Sequence, residues 1–97
     1  MITIKHSDGE IIIQGHAGYA PRGEDIVCAA ISTLTQVLIA SVEEFTEDLI
    51  KYDIEAGKAS ITYGNLSEHG QLLIDSFFLG CEMIAEDYPA YVELTEH

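Results

Sequence analysis

Near the start of the chain, Met1 to His6 and Glu10 to His16 are runs rich in β-forming residues, on either side of Ser7, Asp8 and Gly9. Asp-Gly is a favoured hairpin pair, so this segment predicts two antiparallel strands joined by a tight turn. Apolar and polar positions alternate through Lys51 to Ala56 and Ala59 to Tyr63 around Gly57 and Lys58, which predicts a second hairpin. Between the hairpins the period changes. Val27, Ile31, Leu34, Leu38, Val42 and Phe45 recur at the spacing of one helical face, which predicts a helix from an Asp25 N-cap to about Asp48. Ile26, Ala29, Ala30 and Val37 lie on its other faces, so this helix is expected to be largely buried, between the sheet and a second helix or in a dimer contact. Ser67 caps that second helix, Leu73, Phe77, Cys81 and Ile84 form its apolar positions, and Pro89 marks its end.

The elements run in the order ββαββα and predict an α+β fold in which an antiparallel sheet packs with two helices. With 97 residues, 47% of them hydrophobic, the chain suffices for one domain over 1–97. No repeat of about 20 to 50 residues, low-complexity segment or linker interrupts it. The longest continuous apolar runs, such as Ile11 to Ile13 and Leu72 to Ile74, fall short of the roughly 20 residues that span a bilayer, and no basic stretch leads into an apolar one near Met1. The expectation is a soluble cytoplasmic protein with no export signal and no membrane contact.

Charge narrows the partners. Seventeen acidic residues against four basic ones leave a formal charge of −13, a field that repels nucleic-acid phosphates and speeds encounter with a basic protein. The same charge also serves plain solubility, so it is compatible with a basic partner without requiring one. Two cysteines, Cys28 and Cys81, are not expected to pair in a reducing compartment. Cys81 falls on the apolar stripe of the second helix and reads as a core residue.

Candidate chemistry concentrates in GHAGYAPRGEDIVCAAIS, from Gly15 to Ser32. A strand is expected to end at His16, a loop punctuated by Gly18, Pro21 and Gly23 follows, and Cys28 then lies in the first helical turn. Free N–H groups and the helix dipole favour a thiolate there, and a loop of this length can return the His16 imidazole to the sulfur as a general base. Asp25, Cys28, Ser32, Thr35 and Gln36 share one side of the helix, so Cys28 belongs to a polar stripe, interrupted by Ile39. Ser32 is placed to meet a catalytic group or substrate, and Asp25 to cap the helix, orient His16, or both.

Each of these residues also has a plain structural reading. Cys28 as a small core residue is at least as good a reading on spacing alone. His16 as a strand-end backbone donor, Asp25 as an ordinary cap and Ser32 bonded within its own helix stay open as well. His6, His16, Cys28 and His69 have metal-ligating side chains but none of the short paired spacings of zinc motifs, and His69 and His97 read as exposed. Neither GxGxxG nor GxxxxGKS/T occurs, so no nucleotide site is implied. No metal and no cofactor is expected.

The run Gly15, His16, Ala17, then Gly23, then Asp25, Ile26, Val27, Cys28, Ala29, Ala30 and Ser32 resembles the ribosomal-processing cysteine protease family, and Ile84, Ala85, Glu86, Tyr88, Pro89 and Val92 are similar to its C-terminal segment. That resemblance implies a bacterial, cytoplasmic, homodimeric peptidase that removes a short N-terminal extension from the twenty-seventh large-subunit ribosomal protein. It implies His16 and Cys28 as the catalytic dyad, with Asp25 and Ser32 in support. The Gly18, Tyr19 and Gly23 loop is then expected to be flexible and ordered by substrate, and backbone N–H groups near the helix start are expected to hold the oxyanion. The contrasting expectation is a non-catalytic module that binds a basic ribosomal or assembly protein through its acidic surface.

Overall fold

The computed structural model describes residues 1–21 and 23–96; the expectation for His97 lies outside them. Its elements are β1 (Ile2–Ser7), β2 (Glu10–Gln14), α1 (Ile26–Phe45), β3 (Ile50–Glu55), β4 (Lys58–Tyr63), α2 (Glu68–Asp87) and β5 (Val92–Glu96). The strands form one sheet in the order β3-β4-β2-β1-β5. Both hairpins form as expected, with Ile4 opposite Ile13 and Ile11 opposite Ile61, so the register lines the branched residues up on a single face. Ile4, Ile11 and Ile61 are fully buried there against Val27, Ile31, Val42, Ile74 and Cys81 of the helices. The α+β class therefore holds, as two layers with both helices on one face of the sheet.

Three expectations change. The sheet is mixed: β5 pairs parallel to β1, with Val92 beside Ile2 and Leu94 beside Ile4, which extends the order to ββαββαβ. Its alternating Val-Glu-Leu-Thr-Glu gains partners only by long-range pairing. Helix α1 stops at Phe45, short of Asp48, because Thr46 turns extended and its hydroxyl and N–H both go to the Val42 carbonyl. Asp48 instead receives the Ser67 N–H and hydroxyl, tying the end of one helix to the start of the next.

The third change concerns the surroundings of α1. One side lies on the sheet and another against α2, where Leu34 abuts Gly80, while Ile26 and Val37 are each 54% exposed. The helix is half covered rather than largely buried. With a mean hydropathy of 1.8 it is long and apolar enough to cross a membrane by length and composition, but Val27, Ile31, Leu38 and Val42 pack into the core, as in the central helix of a globular domain. The layer of helices also stops short of β3. Tyr52 and Ile54 are in register with the buried Ile61 and Ala59, yet about half of each remains exposed.

Candidate active site

Strand β2 ends at Gln14 rather than at His16, because Gly15 adopts φ +100° and a side chain there would collide with the Met1 carbonyl. His16 therefore leads the loop instead of closing the strand. Its carbonyl accepts from the Met1 nitrogen at 2.6 Å, and the preceding Gly15 N–H donates to the Gly57 carbonyl at 2.8 Å. The next residue, Ala17, is buried, and its N–H points at Cys28 Sγ, 3.3 Å away. Through Ala17 the backbone beside His16 reaches the cysteine.

Asp25 is the N-cap of α1. Its Oδ1 accepts from the N–H groups of Val27 at 3.0 Å and Cys28 at 2.9 Å, and its Oδ2 accepts from the Tyr19 N–H at 3.1 Å. One carboxylate thus holds both the helix start and the loop before it. The Cys28 N–H bond, outweighing partial desolvation and joined by the Tyr19 bond, holds the Asp25 carboxyl below its ordinary 3.8. Beyond its backbone bond, Tyr19 stands edge-on to Tyr88 and Tyr91, with ring centroids 5.6 and 5.3 Å apart. The Tyr19 end of the loop is anchored. Gly18 and Gly23 carry φ of +70° and +90° with open space where a side chain would go.

Cys28 is half-buried and faces a cleft of about 280 Å³ between α1 and the β3–β4 hairpin. His16, Ser32 and Gln36 line the same cleft, and Ile54 and Gly57 close its other wall. The His16 ring rests on the hairpin turn, so a side-chain carbon on Gly57 would sit 2.9 Å from Nε2. Among the described residues the imidazole has no hydrogen-bond partner, Cys28 included, and neither does the Ser32 hydroxyl. Ser32 is thus not bonded to its own helix, whereas buried Thr35 is, through its hydroxyl to the Ile31 carbonyl at 2.8 Å. Nothing in the local sequence marks Ile54 or Gly57, which the second hairpin brings in from the opposite side.

The other candidates lie apart. Cys81 is fully enclosed, and burial, with Glu82 nearby, pushes its thiol up to about 12. His6 stacks on Phe78 at 4.3 Å and shares a hydrogen bond with the Tyr63 hydroxyl at 2.9 Å, while His69 is exposed. Among the described residues no group of three or more histidine, cysteine or acidic side chains is placed to hold a metal ion.

The ribosomal processing cysteine protease Prp of Mycoplasma genitalium is 29% identical over 99% of this chain and 96% of its own length. Its Staphylococcus aureus counterpart is 26% identical over 88% of this chain and 83% of its own. Among solved structures, S. aureus Prp with a covalently linked product peptide superposes with a TM-score of 0.96 at 22% identity over all of both chains, a likeness of fold. A Streptococcus mutans protein gives 0.85 at 29% identity, covering 99% of this chain and 93% of that one. A profile of the cysteine protease Prp family matches residues 1–93, so the chain belongs to that family and is a cysteine peptidase.

Proposed function

We propose that this chain is a site-specific endopeptidase in which Cys28 is the nucleophile and His16 the general base, and that it removes the N-terminal extension of the twenty-seventh large-subunit ribosomal protein in the bacterial cytoplasm, in support of ribosome assembly. The observation that carries the reading is a contrast between the two thiols. A cysteine peptidase needs an accessible thiolate; Cys81 is sealed in the core, while Cys28 faces a cleft lined by His16. In the reaction Sγ attacks the peptide carbonyl carbon as His16 takes the thiol proton. The amine leaves with that proton, and water, deprotonated by His16, cleaves the thioester to a carboxylate and restores the thiol. Atoms and electrons balance without a cofactor.

Asp25 supports the site by holding the first turn of α1 and the loop at Tyr19. The Ser32 hydroxyl, one turn beyond Cys28, is open to substrate. Imidazole and sulfur are not hydrogen-bonded to each other, which fits a dyad that closes when a peptide enters the cleft. The ribosomal substrate is favoured by the names of the M. genitalium and S. aureus relatives and by the charge of −13, which suits a basic protein. The decisive experiment incubates the chain with the extended ribosomal protein and reads the new N-terminus by mass spectrometry, beside Cys28→Ala and His16→Ala. Cleavage by Cys28→Ala equal to that of the unaltered chain would sink the mechanism.

The chain is further proposed to act as a homodimer. Ile26 and Val37 of α1 and Leu72, Leu79 and Met83 of α2 are more than half exposed and lie on the sides of the helices turned from the sheet. A second copy on this face removes apolar area that so small a domain leaves in water. Sedimentation equilibrium is expected to give a dimer for the unaltered chain and a monomer for Val37→Glu with Leu79→Glu.

A further inference from the structure

The N–H groups that the sequence suggests for the oxyanion are largely engaged in the helix cap. A cysteine at the first turn of a helix points to the N–H groups of that turn as the groups that receive the negative oxygen of a tetrahedral intermediate. In the structure those of Val27, Cys28 and Ala29 are occupied: the Val27 and Cys28 N–H groups both donate to Asp25 Oδ1, and the Ala29 N–H donates to the Asp25 carbonyl at 3.1 Å. Freeing them means breaking the cap that sets the start of α1 and holds Tyr19.

The segment before the loop supplies a different donor. Alternate N–H groups from Gly15 to Tyr19 have three kinds of acceptor: Gly15 has the Gly57 carbonyl, Tyr19 the Asp25 carboxylate, and Ala17 the sulfur of Cys28. Two of these are strong acceptors. The third is not, since sulfur accepts weakly, and Ala17 is only 4% exposed. A buried backbone donor thus lies beside the reactive atom while under-satisfied, and an anionic oxygen is a far better partner for it than the resting sulfur.

We propose that the Ala17 N–H is the oxyanion donor of this peptidase, a reading that rests on Cys28 as the nucleophile. When Sγ bonds to the carbonyl carbon, the π pair of the C=O moves to oxygen, which lies next to sulfur on the same carbon. The N–H now 3.3 Å from Sγ turns to that oxygen. Collapse returns the pair to the carbon and breaks the C–N bond, with the amine taking its proton from His16. The same donor serves again when water adds to the thioester. The donor directly follows His16, so base and oxyanion site are set by one short stretch fixed through Met1 and Gly57.

Two measurements test this. The first is an amide-to-ester exchange that replaces the Ala17 N–H with oxygen, introduced by ligation of synthetic segments, with folding checked by the thermal transition. Peptide cleavage is expected to lose about a hundredfold to a thousandfold in kcat with little change in KM. Alkylation of Cys28 by iodoacetamide, which forms no oxyanion, is expected to fall by less than about tenfold, far less than the loss in cleavage. Unchanged cleavage, or cleavage and alkylation falling by one common factor, overturns the proposal. The second uses the unaltered protein and so stands even if the ester fails to fold. In its crystal structure with a peptide aldehyde, the hemithioacetal oxygen is expected about 2.7–3.1 Å from the Ala17 nitrogen. An oxygen beyond hydrogen-bond distance of Ala17, facing other donors, overturns it while leaving Cys28 as nucleophile; failure of the aldehyde to bond to Cys28 removes the nucleophile reading itself.

Discussion

The His16 imidazole rests on the α-carbon of Gly57, so closely that a side chain there would lie 2.9 Å from Nε2 and 3.4 Å from Cε1. The same glycine accepts the Gly15 N–H through its carbonyl, so one turn residue fixes both the backbone and the ring of the proposed base. Gly57→Ala is expected to displace the imidazole and lower kcat for peptide cleavage at least about tenfold. Because Gly57 has φ +77°, alanine also strains the backbone by about 1–2 kcal/mol. Gly23→Ala separates the two effects: φ is +90° there and nothing lies within 4 Å, so it carries comparable strain without a contact to His16. Equal losses in the two variants would remove the positioning role of Gly57.

Asp25 links stability to acid. Its carboxyl is held below 3.8, chiefly by the Cys28 N–H. The sign follows from the lowered value: the charged form is favoured by folding, so its contribution is full above about 3.8 and is lost as pH falls through the lower folded value. Asn is also a good N-cap but does not titrate there. Asp25→Asn is therefore expected to give a melting temperature that falls less steeply than that of the unaltered chain below pH 3.8. Parallel curves through that range would remove Asp25 as a source of acid sensitivity.

What could be read from the sequence was local. Asp8-Gly9 and Gly57-Lys58 between β-rich runs mark two hairpins in their observed places, and Asp25 and Ser67 cap the helices they were expected to cap. Strand β5 escaped because five alternating residues are a weak signal until β1 lies beside them. The exposed sides of α1 escaped for a related reason: periodicity identifies apolar positions but not how many partners surround the helix. At the site, type and spacing single out Cys28 and His16, and the family resemblance favours the nucleophile reading of Cys28 over the core one. Gly57, Ile54 and the Ala17 N–H carry no side-chain chemistry that sequence can flag. Their part comes from where the second hairpin and the loop are placed.

The two cysteines are expected to separate cleanly toward alkylation. Cys81 has no solvent access, and its thiol is pushed up to about 12. Brief treatment of the folded chain with iodoacetamide should add one carbamidomethyl group, at Cys28, and a second only in denaturant. Cys81→Ala is expected to preserve cleavage and cost about 1 kcal/mol of stability, since it removes one buried sulfur from the core. Equal labelling of both cysteines in the native state would place Cys81 outside the rigid core.

Tyr19 offers the sharpest test of how the loop serves catalysis. Its ring is edge-on to Tyr88 and Tyr91, beyond the end of α2, and its N–H reaches the Asp25 carboxylate, so the loop is pinned from two directions. Tyr19 is 42% exposed and lies outside the main core. Removing the ring should therefore loosen the loop without unfolding the domain. Edge-on aromatic pairs contribute about 0.5–1.5 kcal/mol each when well packed, and partial exposure reduces that. Tyr19→Ala is expected to speed amide exchange between Ala17 and Glu24 severalfold and to raise KM more than it lowers kcat, because the chain must order the loop on binding. Tyr19→Phe keeps the ring edge and should restore both values. If Tyr19→Ala leaves loop exchange unchanged yet reduces cleavage, the ring acts on substrate directly. If it leaves both unchanged, the aromatic contact has no part in the reaction.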